Sequence, residues 1–150
     1  MSTKTRILFV CMGNICRSPT AEGVMRHLVA ERGLDGEIEV QSAGTGGWHA
    51  GDPPDARATQ AARARGITLE GAARQVTRAD FEDFDLLVAM DRNNLANLRA
   101  IAPPGTEGKL RLLLDGRDVP DPYYGGPGGF EEVLDLVEAG CARLLDDLAA

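Results

Sequence analysis

Basic charge is scarce in this sequence of 150 residues, in which 16 lysine and arginine residues face 23 aspartate and glutamate residues and leave a net charge of −7. A protein that binds nucleic acid or an anionic membrane surface needs a basic face. The composition therefore argues against both partners. An anionic substrate must instead be held by a local site.

Long apolar runs and cysteines are also few. No stretch approaches the ~20 apolar residues of a membrane span, and the four apolar residues after Arg6 are too few for a signal peptide. The three cysteines are an odd number, which argues against a secreted disulfide framework. We therefore expect a cytoplasmic protein with a single domain over residues 1–150.

The chain also lacks the patterns of common cofactor sites. Its cysteines and its two histidines show no zinc spacing, and no Gly-x4-Gly-Lys-Ser/Thr motif of a nucleotide-binding loop is present. We expect neither a metal nor another cofactor.

What the chain does have is an informative stretch at residues 7–19. A continuous apolar run at residues 7–10 indicates a strand covered on both faces. Gly13 and Asn14 tolerate positive φ, so the backbone N–H groups of this loop can turn inward and form an anion-binding concavity. Ser18 is a favourable N-cap and Pro19 suits the first helical position, so we predict a helix beginning there, with its positive end towards the loop.

Two reactive side chains flank this concavity. Arg17 can bind two phosphoryl oxygens side by side. Cys11 lies beside that guanidinium and the helix N-terminus, a setting in which a thiol ionises readily and becomes a nucleophile. The alternative, a small buried apolar residue at a strand end, is disfavoured because Arg17 and Ser18 stand at this spacing from Cys11.

The stretch Cys11-Met12-Gly13-Asn14-Ile15-Cys16-Arg17-Ser18-Pro19 resembles the phosphate loop of the low-molecular-weight protein tyrosine phosphatases. The resemblance extends over most of the chain, and the further matching segments are Ser42-Ala43-Gly44-Thr45, Trp48-His49, Ala73-Arg74-Gln75-Val76-Thr77, Met90-Asp91 with Asn94, and Asp121-Pro122-Tyr123-Tyr124-Gly125. It implies a protein-tyrosine phosphatase that hydrolyses phosphotyrosine or aryl phosphates through a phosphocysteine intermediate and releases inorganic phosphate.

The resemblance also implies a role for each matching residue. Cys11 is the nucleophile, Arg17 binds phosphate, and Asp121 is the general acid towards the leaving oxygen and then the base towards water. Asn14 holds the shape of the loop through hydrogen bonds that include Ser42. The residues expected to surround the phosphate are Met12, Gly13, Asn14, Ile15, Cys16 and Ser18, of which Ser18 assists the thiolate.

Substrate choice is expected to come from the rim of the site. Apolar walls formed by Met12, Ile15, Trp48, Tyr123 and Tyr124 would suit a flat aromatic ring, and a deep slot would keep phosphoserine away from the sulfur. Some relatives that prefer phosphoarginine have a threonine in place of Ile15, so the apolar residue favours phosphotyrosine. The expected partner is thus a phosphotyrosine-containing protein or a small aryl phosphate.

Some positions allow other interpretations. Cys16 either packs inward or traps oxidised Cys11 as a reversible disulfide, as the vicinal cysteine does in related phosphatases. Many members of the resembling family have a histidine in place of Gly71 that supports the loop asparagine, so the support of Asn14 is expected to differ here. Asp91 is predicted to be a helix cap, and Arg74, His27 and His49 are assigned no catalytic task.

Three alternative functions share this fold or loop. A thiol-dependent arsenate reductase needs further redox cysteines near residues 80–90, and residues 82–90 contain none. A non-enzymatic phosphate binder has no need of both Cys11 and Asp121. A phosphocysteine carrier of the sugar-transport kind has no use for Asp121.

Strands and helices alternate along the chain. This order predicts an open parallel sheet of about four strands with helices on both faces, a flavodoxin-like α/β fold in which ligands bind at the carboxyl ends of the strands. The predicted strands are residues 6–10, 38–41, 85–90 and 110–114. The predicted helices are residues 19–32, 56–65, 92–100 and 130–148, with one or two helical turns within 78–83.

Overall fold

Four parallel strands form the sheet in the computed structural model, which describes residues 4–122 and 128–149. In chain order they are β1 (Thr5–Cys11), β2 (Ile38–Gly44), β3 (Leu86–Ala89) and β4 (Leu110–Leu112), and they lie side by side as β2-β1-β3-β4. The helices are α1 (Arg17–Glu31), α2 (Ala56–Arg63), α3 (Asp80–Asp83), α4 (Arg92–Ile101) and α5 (Gly129–Ala149). The predicted α/β fold class is confirmed.

Strand β1 is buried on both faces of the sheet, and for this reason its sequence does not alternate between apolar and polar residues. Ile7 and Phe9 pack into a core with residues of α1 and α5, whereas Leu8 and Val10 pack into a second core with residues of α3 and α4. All four side chains are fully buried. A central strand covered on both faces must be apolar at every position, and this strand carries Cys11 at its carboxyl end.

The start of α1 differs from the prediction. The helix begins at Arg17, and Cys16 occupies the N-cap position without a side-chain capping bond. Ser18 therefore lies inside the first turn and is not the N-cap. Its hydroxyl is used elsewhere, in a contact with Cys11 Sγ, while Thr20 Oγ1 donates to the Cys16 carbonyl at 2.7 Å.

The second strand is longer than predicted and changes the position of one expected loop residue. Strand β2 runs to Gly44 because its pairing with β1 continues until Cys11 lies opposite Gly44. Ser42 consequently belongs to the strand.

The segment that leads to Asp121 is attached to the end of β3. The backbone N–H of Val119 donates to the carbonyl of Met90 at 2.8 Å, and the Val119 side chain is buried. This contact brings Asp121 to the edge of the sheet where Cys11 lies. Tyr123 and Tyr124, predicted as substrate walls, lie outside the described residues.

Candidate active site

The loop after β1 places its backbone and its polar side chains around the sulfur of Cys11. Asn14 has φ of 57°, the left-handed conformation that its residue type tolerates. Its backbone N–H donates to Cys11 Sγ at 3.3 Å, and its Nδ2 donates to Ser18 Oγ at 2.8 Å. Ser18 Oγ also lies 2.9 Å from the sulfur and 3.5 Å from the Ala43 carbonyl oxygen, so the sulfur is the nearer of two possible acceptors for its hydroxyl hydrogen. Such donors stabilise negative charge on sulfur.

Arg17 is buried and held in one orientation. Its Nη1 donates to Asp91 Oδ2 at 2.6 Å and to the Val119 carbonyl at 3.0 Å. Burial by itself lowers the pKa of Arg17, but the hydrogen bond to Asp91 and the neighbouring negative charges outweigh it and raise the pKa. Both hydrogen bonds use Nη1, so the Nε and Nη2 side of the guanidinium, which the Asp121 carboxylate approaches to 3.8 Å, can bind two oxygens of a ligand.

Asp121 lies close to the same guanidinium. Its Oδ2 lies 3.8 Å from Arg17 Nη2, and its side chain is about one-third exposed. The residue precedes Pro122, which favours an extended backbone. A carboxyl group in this position is accessible to a ligand bound by the guanidinium.

A cavity of about 80 Å³ lies between these groups. It brings together Cys11, Arg17 and Asp121, the three predicted catalytic residues, from parts of the chain more than 100 residues apart. The other residues of its lining are Met12, Gly13, Ile15, Cys16 and His49.

His49 is a lining residue that the sequence analysis did not assign to the site. Its Nδ1 lies 3.2 Å from Asp52 Oδ2. The pair Trp48-His49 belongs to a segment that matches the resembling family, which was the signal available in the sequence. Trp48 itself is 75% exposed and lies against Gly46, where its ring occupies the space that a Cβ would need. The role of Trp48 as a substrate wall stays a prediction.

The support of Asn14 differs from the one predicted. Its Oδ1 accepts from the backbone N–H of Arg74 at 3.0 Å. The predicted hydrogen-bonding partner, Ser42, instead donates to Glu22 Oε1 at 2.5 Å. Both ends of the Asn14 amide thus have partners other than Ser42, since Nδ2 donates to Ser18 Oγ and Oδ1 accepts from Arg74, and the role of Ser42 in supporting the loop stays a prediction.

Asp80 fixes the segment that supports Asn14. Its carboxylate accepts from the Arg74 guanidinium at 2.9 and 3.1 Å and from the Thr77 backbone N–H at 2.7 Å. Burial tends to raise the pKa of Asp80, but these hydrogen bonds outweigh it and lower the pKa. Arg74 thus acts on the site through its backbone, with its side chain anchored elsewhere.

Asp91 has a second role that the sequence did not reveal. It is the N-cap of α4, as predicted, with Oδ1 accepting from the Asn94 backbone N–H at 2.7 Å. Its other oxygen, Oδ2, binds Arg17. The ion pair joins residues 74 positions apart, so only the packing of β3 beside β1 brings them together.

Cys16 differs from Cys11 in its surroundings. Burial, with smaller contributions from the charges of Asp55, Cys11 and Asp121, raises the pKa of Cys16 to about 12. It is therefore a protonated thiol at neutral pH. Cys11, Cys16 and Cys141 are all free and buried.

Within residues 4–122 and 128–149, no group of three or more histidine, cysteine and acidic side chains is arranged to hold a metal ion. No helix among these residues combines the length and the apolar character needed to cross a membrane.

A cysteine and an arginine around an anion-binding loop, at the carboxyl end of a central parallel strand and opposite an aspartate, define a small α/β phosphatase of the cysteine class. Comparison with known families agrees: the sequence model of the low molecular weight phosphotyrosine protein phosphatases matches residues 6–150. The chain belongs to this family, and the predicted family and enzyme class, a phosphoric monoester hydrolase, are confirmed.

Individual relatives match over almost their full length. The low molecular weight protein-tyrosine-phosphatase YfkJ of Bacillus subtilis is 47% identical over 146 residues, which cover 93% of this chain and 92% of the relative. A putative low molecular weight protein-tyrosine-phosphatase of Synechocystis is 46% identical over 150 residues, 95% of this chain and 96% of that one. A crystal structure of a protein tyrosine phosphatase from Entamoeba histolytica, with Hepes in its active site, has a TM-score of 0.94 at 36% identity and covers 97% of both chains.

Proposed function

We propose that this protein hydrolyses phosphotyrosine, in proteins or in small aryl phosphates, through a phosphocysteine intermediate on Cys11. The observation that carries the proposal is the convergence of Cys11 Sγ, the Arg17 guanidinium and the Asp121 carboxyl group on one cavity at the N-terminus of α1. A nucleophile, an oxyanion-binding group and a proton donor are the three parts that this reaction needs.

In the first step, Cys11 Sγ attacks phosphorus in line with the leaving oxygen. The sulfur–phosphorus bond forms while the bond to the phenolic oxygen breaks, and Asp121 donates its proton to that oxygen. The Nε and Nη2 side of the Arg17 guanidinium binds two equatorial phosphoryl oxygens, and the loop N–H groups surround the third. This interaction with the transition state is expected to supply the largest share of the rate enhancement.

In the second step, a water molecule attacks phosphorus and displaces the sulfur. The Asp121 carboxylate now accepts a proton from the water, and inorganic phosphate is released. The hydrogen bonds from the Asn14 backbone and the Ser18 hydroxyl stabilise the departing thiolate. The same contacts therefore assist sulfur as nucleophile and as leaving group.

Substrate preference follows from the walls of the cavity. Met12 is 45% exposed and Ile15 is partly buried, so the entrance offers apolar surface to an aromatic ring. This surface supports phosphotyrosine over phosphoserine, and the apolar Ile15 supports it over phosphoarginine. The contribution of Tyr123 and Tyr124 belongs to the same proposal.

The proposal includes the compartment and the domain organisation. The three free cysteines fit a reducing compartment, so we place the activity in the cytoplasm, and we treat residues 1–150 as one catalytic domain. A phosphotyrosine-containing protein is the proposed partner. No nucleic acid or membrane contributes to the reaction.

The Cys11→Ser variant tests the nucleophile. It should abolish turnover of p-nitrophenyl phosphate and still bind vanadate or phosphate, because Arg17 and the loop remain. A Cys141→Ala variant is the matched control, since it removes a thiol that is buried on α5, and it should keep turnover below its unfolding temperature. Turnover that survives in Cys11→Ser would refute the assignment.

A substrate panel tests the specificity. Phosphotyrosine, phosphoserine, phosphoarginine and arsenate are compared with a metal chelator present. We expect turnover of phosphotyrosine and aryl phosphates, with no dependence on added metal. Preferred turnover of phosphoarginine, or thiol-dependent reduction of arsenate, would contradict the proposed substrate class.

A further inference from the structure

Two consecutive residues at the start of α4 contact two different parts of the active site. Asp91 binds the Arg17 guanidinium through Oδ2. The backbone N–H of the next residue, Arg92, donates to Asp118 Oδ1 at 3.0 Å, and Arg92 Nε lies 3.3 Å from the same oxygen. Asp118 precedes Asp121 by three positions. The start of α4 therefore contacts both the phosphate-binding side chain and the segment that carries the proposed acid.

The backbone N–H of Arg92 is a donor that the helix itself cannot satisfy. The first N–H groups of an α-helix have no partner within the helix, and Arg92 is the first residue of α4. The Asp118 carboxylate supplies an acceptor from outside the helix, and its negative charge is favourable at the positive end of α4. Arg92 Nη2 also donates to the carbonyl of Gly116 at 3.3 Å. Arg92 thus holds this segment at residues 116 and 118.

Val119 fixes the same segment at the next position. Its N–H donates to the Met90 carbonyl, and its carbonyl accepts from Arg17 Nη1, so both of its backbone groups are bonded. Its side chain is buried. Asp118 and Val119 together therefore form a fixed base from which the chain runs on to Asp121.

The chain that follows this base is stiff. In the sequence Val119-Pro120-Asp121-Pro122 every second residue is a proline, whose ring confines φ to a narrow range. The residue before a proline is in turn restricted to extended conformations, and this restriction applies to both Val119 and Asp121. Few backbone rotations are left between Asp118 and Asp121, so a displacement of Asp118 is transmitted to the Asp121 carboxyl group.

We propose that Asp118 is a positioning residue for the general acid: its hydrogen bonds to Arg92 set where the Asp121 carboxyl group lies relative to the leaving oxygen. This inference rests on the role of Asp121 in the proposed function. The cavity above Cys11 is lined by other residues, so Asp118 acts on the reaction through Asp121.

The expected effect is on the rate of the reaction more than on the stability of the fold. The side chains of Arg92 and Asp118 are 68% and 47% exposed, and an ion pair with this exposure adds little to stability. Proton donation to the leaving oxygen contributes about 10²–10⁴-fold and requires hydrogen-bond geometry. A small displacement of Asp121 should therefore slow the reaction of a poor leaving group in a protein that remains folded.

The test compares Asp118→Ala with Asp118→Asn on phenyl phosphate, a substrate with a poor leaving group, and on p-nitrophenyl phosphate, which has a good one. The measured quantity is kcat/KM, which includes departure of the leaving group. In Asp118→Ala it should fall roughly tenfold for phenyl phosphate and less than about twofold for p-nitrophenyl phosphate. Asp118→Asn keeps an oxygen that accepts from the Arg92 N–H, so it should retain most of the wild-type value.

Asp146→Ala is the matched control. Asp146 lies on α5, and its Oδ1 accepts from Arg32 Nη1 at 2.7 Å in another exposed ion pair, so its loss should leave kcat/KM unchanged for both substrates. The proposal is overturned if Asp118→Ala behaves like the wild-type protein or loses activity equally on both substrates. It is also overturned if Asp118→Asn loses as much as Asp118→Ala, because the charge and not the hydrogen bond would then matter.

A double variant separates this inference from the proposed function. Asp121→Asn alone should show the same dependence on the leaving group, and adding Asp118→Ala to it should cause no further selective loss on phenyl phosphate, because the positioned group is gone. Additive selective losses would contradict the positioning role. If Asp121→Asn shows no such dependence, the acid role is refuted and the inference falls with it. If Asp121→Asn shows it and Asp118→Ala does not, only the inference is refuted.

Discussion

The ion pair between Asp91 and Arg17 gives a sharp prediction about how the phosphate-binding group is held. Asp91→Ser keeps a residue that caps helices well, so α4 retains its start. It removes the carboxylate oxygen that lies 2.6 Å from Arg17 Nη1. The variant thus separates the ion pair from the cap.

The size of the effect follows from burial. The side chain of Arg17 is 4% exposed and that of Asp91 is 16% exposed, so the pair is buried. Removing one partner of such a pair costs about 3–5 kcal/mol, because a buried charge loses its compensation. Arg17 keeps the Val119 carbonyl and the more distant Asp121, so we expect the lower end, about 3 kcal/mol. For a protein of this size that lowers Tm by about 6–12 °C.

Asp55→Ser is the matched control for this experiment. Asp55 caps α2 in the same way, accepting from the Arg57 backbone N–H at 2.8 Å, but its ion-pair partner is 50% exposed. Asp55 is itself only 12% exposed, but its half-exposed partner is solvated once the carboxylate is lost, so we expect the loss of this pair to cost at most about 1 kcal/mol. The free energy of unfolding of both variants is measured by urea denaturation followed by circular dichroism, and Tm by heating.

The comparison between the two variants decides the outcome. The larger loss in Asp91→Ser should persist at high salt, because a buried pair is screened much less than an exposed one. Equal losses in Asp91→Ser and Asp55→Ser would refute the reasoning, since they would mean that only the caps matter.

Three further predictions concern the acid, the second loop cysteine and the support of the loop. Asp121→Asn should lower kcat most for leaving groups of high pKa, which depend on a proton donor, and equal losses for good and poor leaving groups would exclude that role. Peroxide should inactivate the enzyme reversibly if the Cys16 thiol condenses with sulfenic acid at Cys11 to give a disulfide and water. The Cys16→Ala variant should then recover its activity more slowly when a thiol is added. Recovery at the wild-type rate would exclude this protective role. The lowered pKa of Asp80 means that its bonds to Arg74 stabilise the fold above the unfolded pKa of about 4 and are lost as pH falls through the folded pKa. The stability difference between the wild-type protein and Asp80→Asn should therefore be full at pH 7 and shrink below roughly pH 4, and a difference independent of pH would contradict it.

The elements themselves follow from local patterns. The apolar run before Cys11 predicts the central strand, and Asn14 and Gly13 predict a loop that can adopt positive φ, which Asn14 does. The N-cap role of Asp91 was also predictable, because an aspartate directly before a helix caps it. These features depend on neighbours within a few residues.

The predictions that the structure does not show concern the hydrogen-bond partners of two serine side chains, which residue type alone does not determine. Ser18 is a favourable N-cap by residue type, yet its hydroxyl lies at the sulfur. Ser42 was expected to bond Asn14, yet it donates to Glu22 on α1. A hydroxyl group forms its hydrogen bond with whichever partner the tertiary structure brings close. The propensity of a residue type for a position in a helix or a loop does not contain that information.

The sequence alone determined which chemical groups are available: a thiol and a guanidinium around a loop of turning amides, followed much later by an aspartate before proline. Only the tertiary structure decided that Asp91 compensates Arg17 and that His49 joins the lining of the cavity. It also decided that the Asp118 carboxylate meets the start of α4. The physical reason is that these contacts join residues from separate strands and loops, and their distances are set by the pairing of the strands and by the packing of helices on the two faces of the sheet.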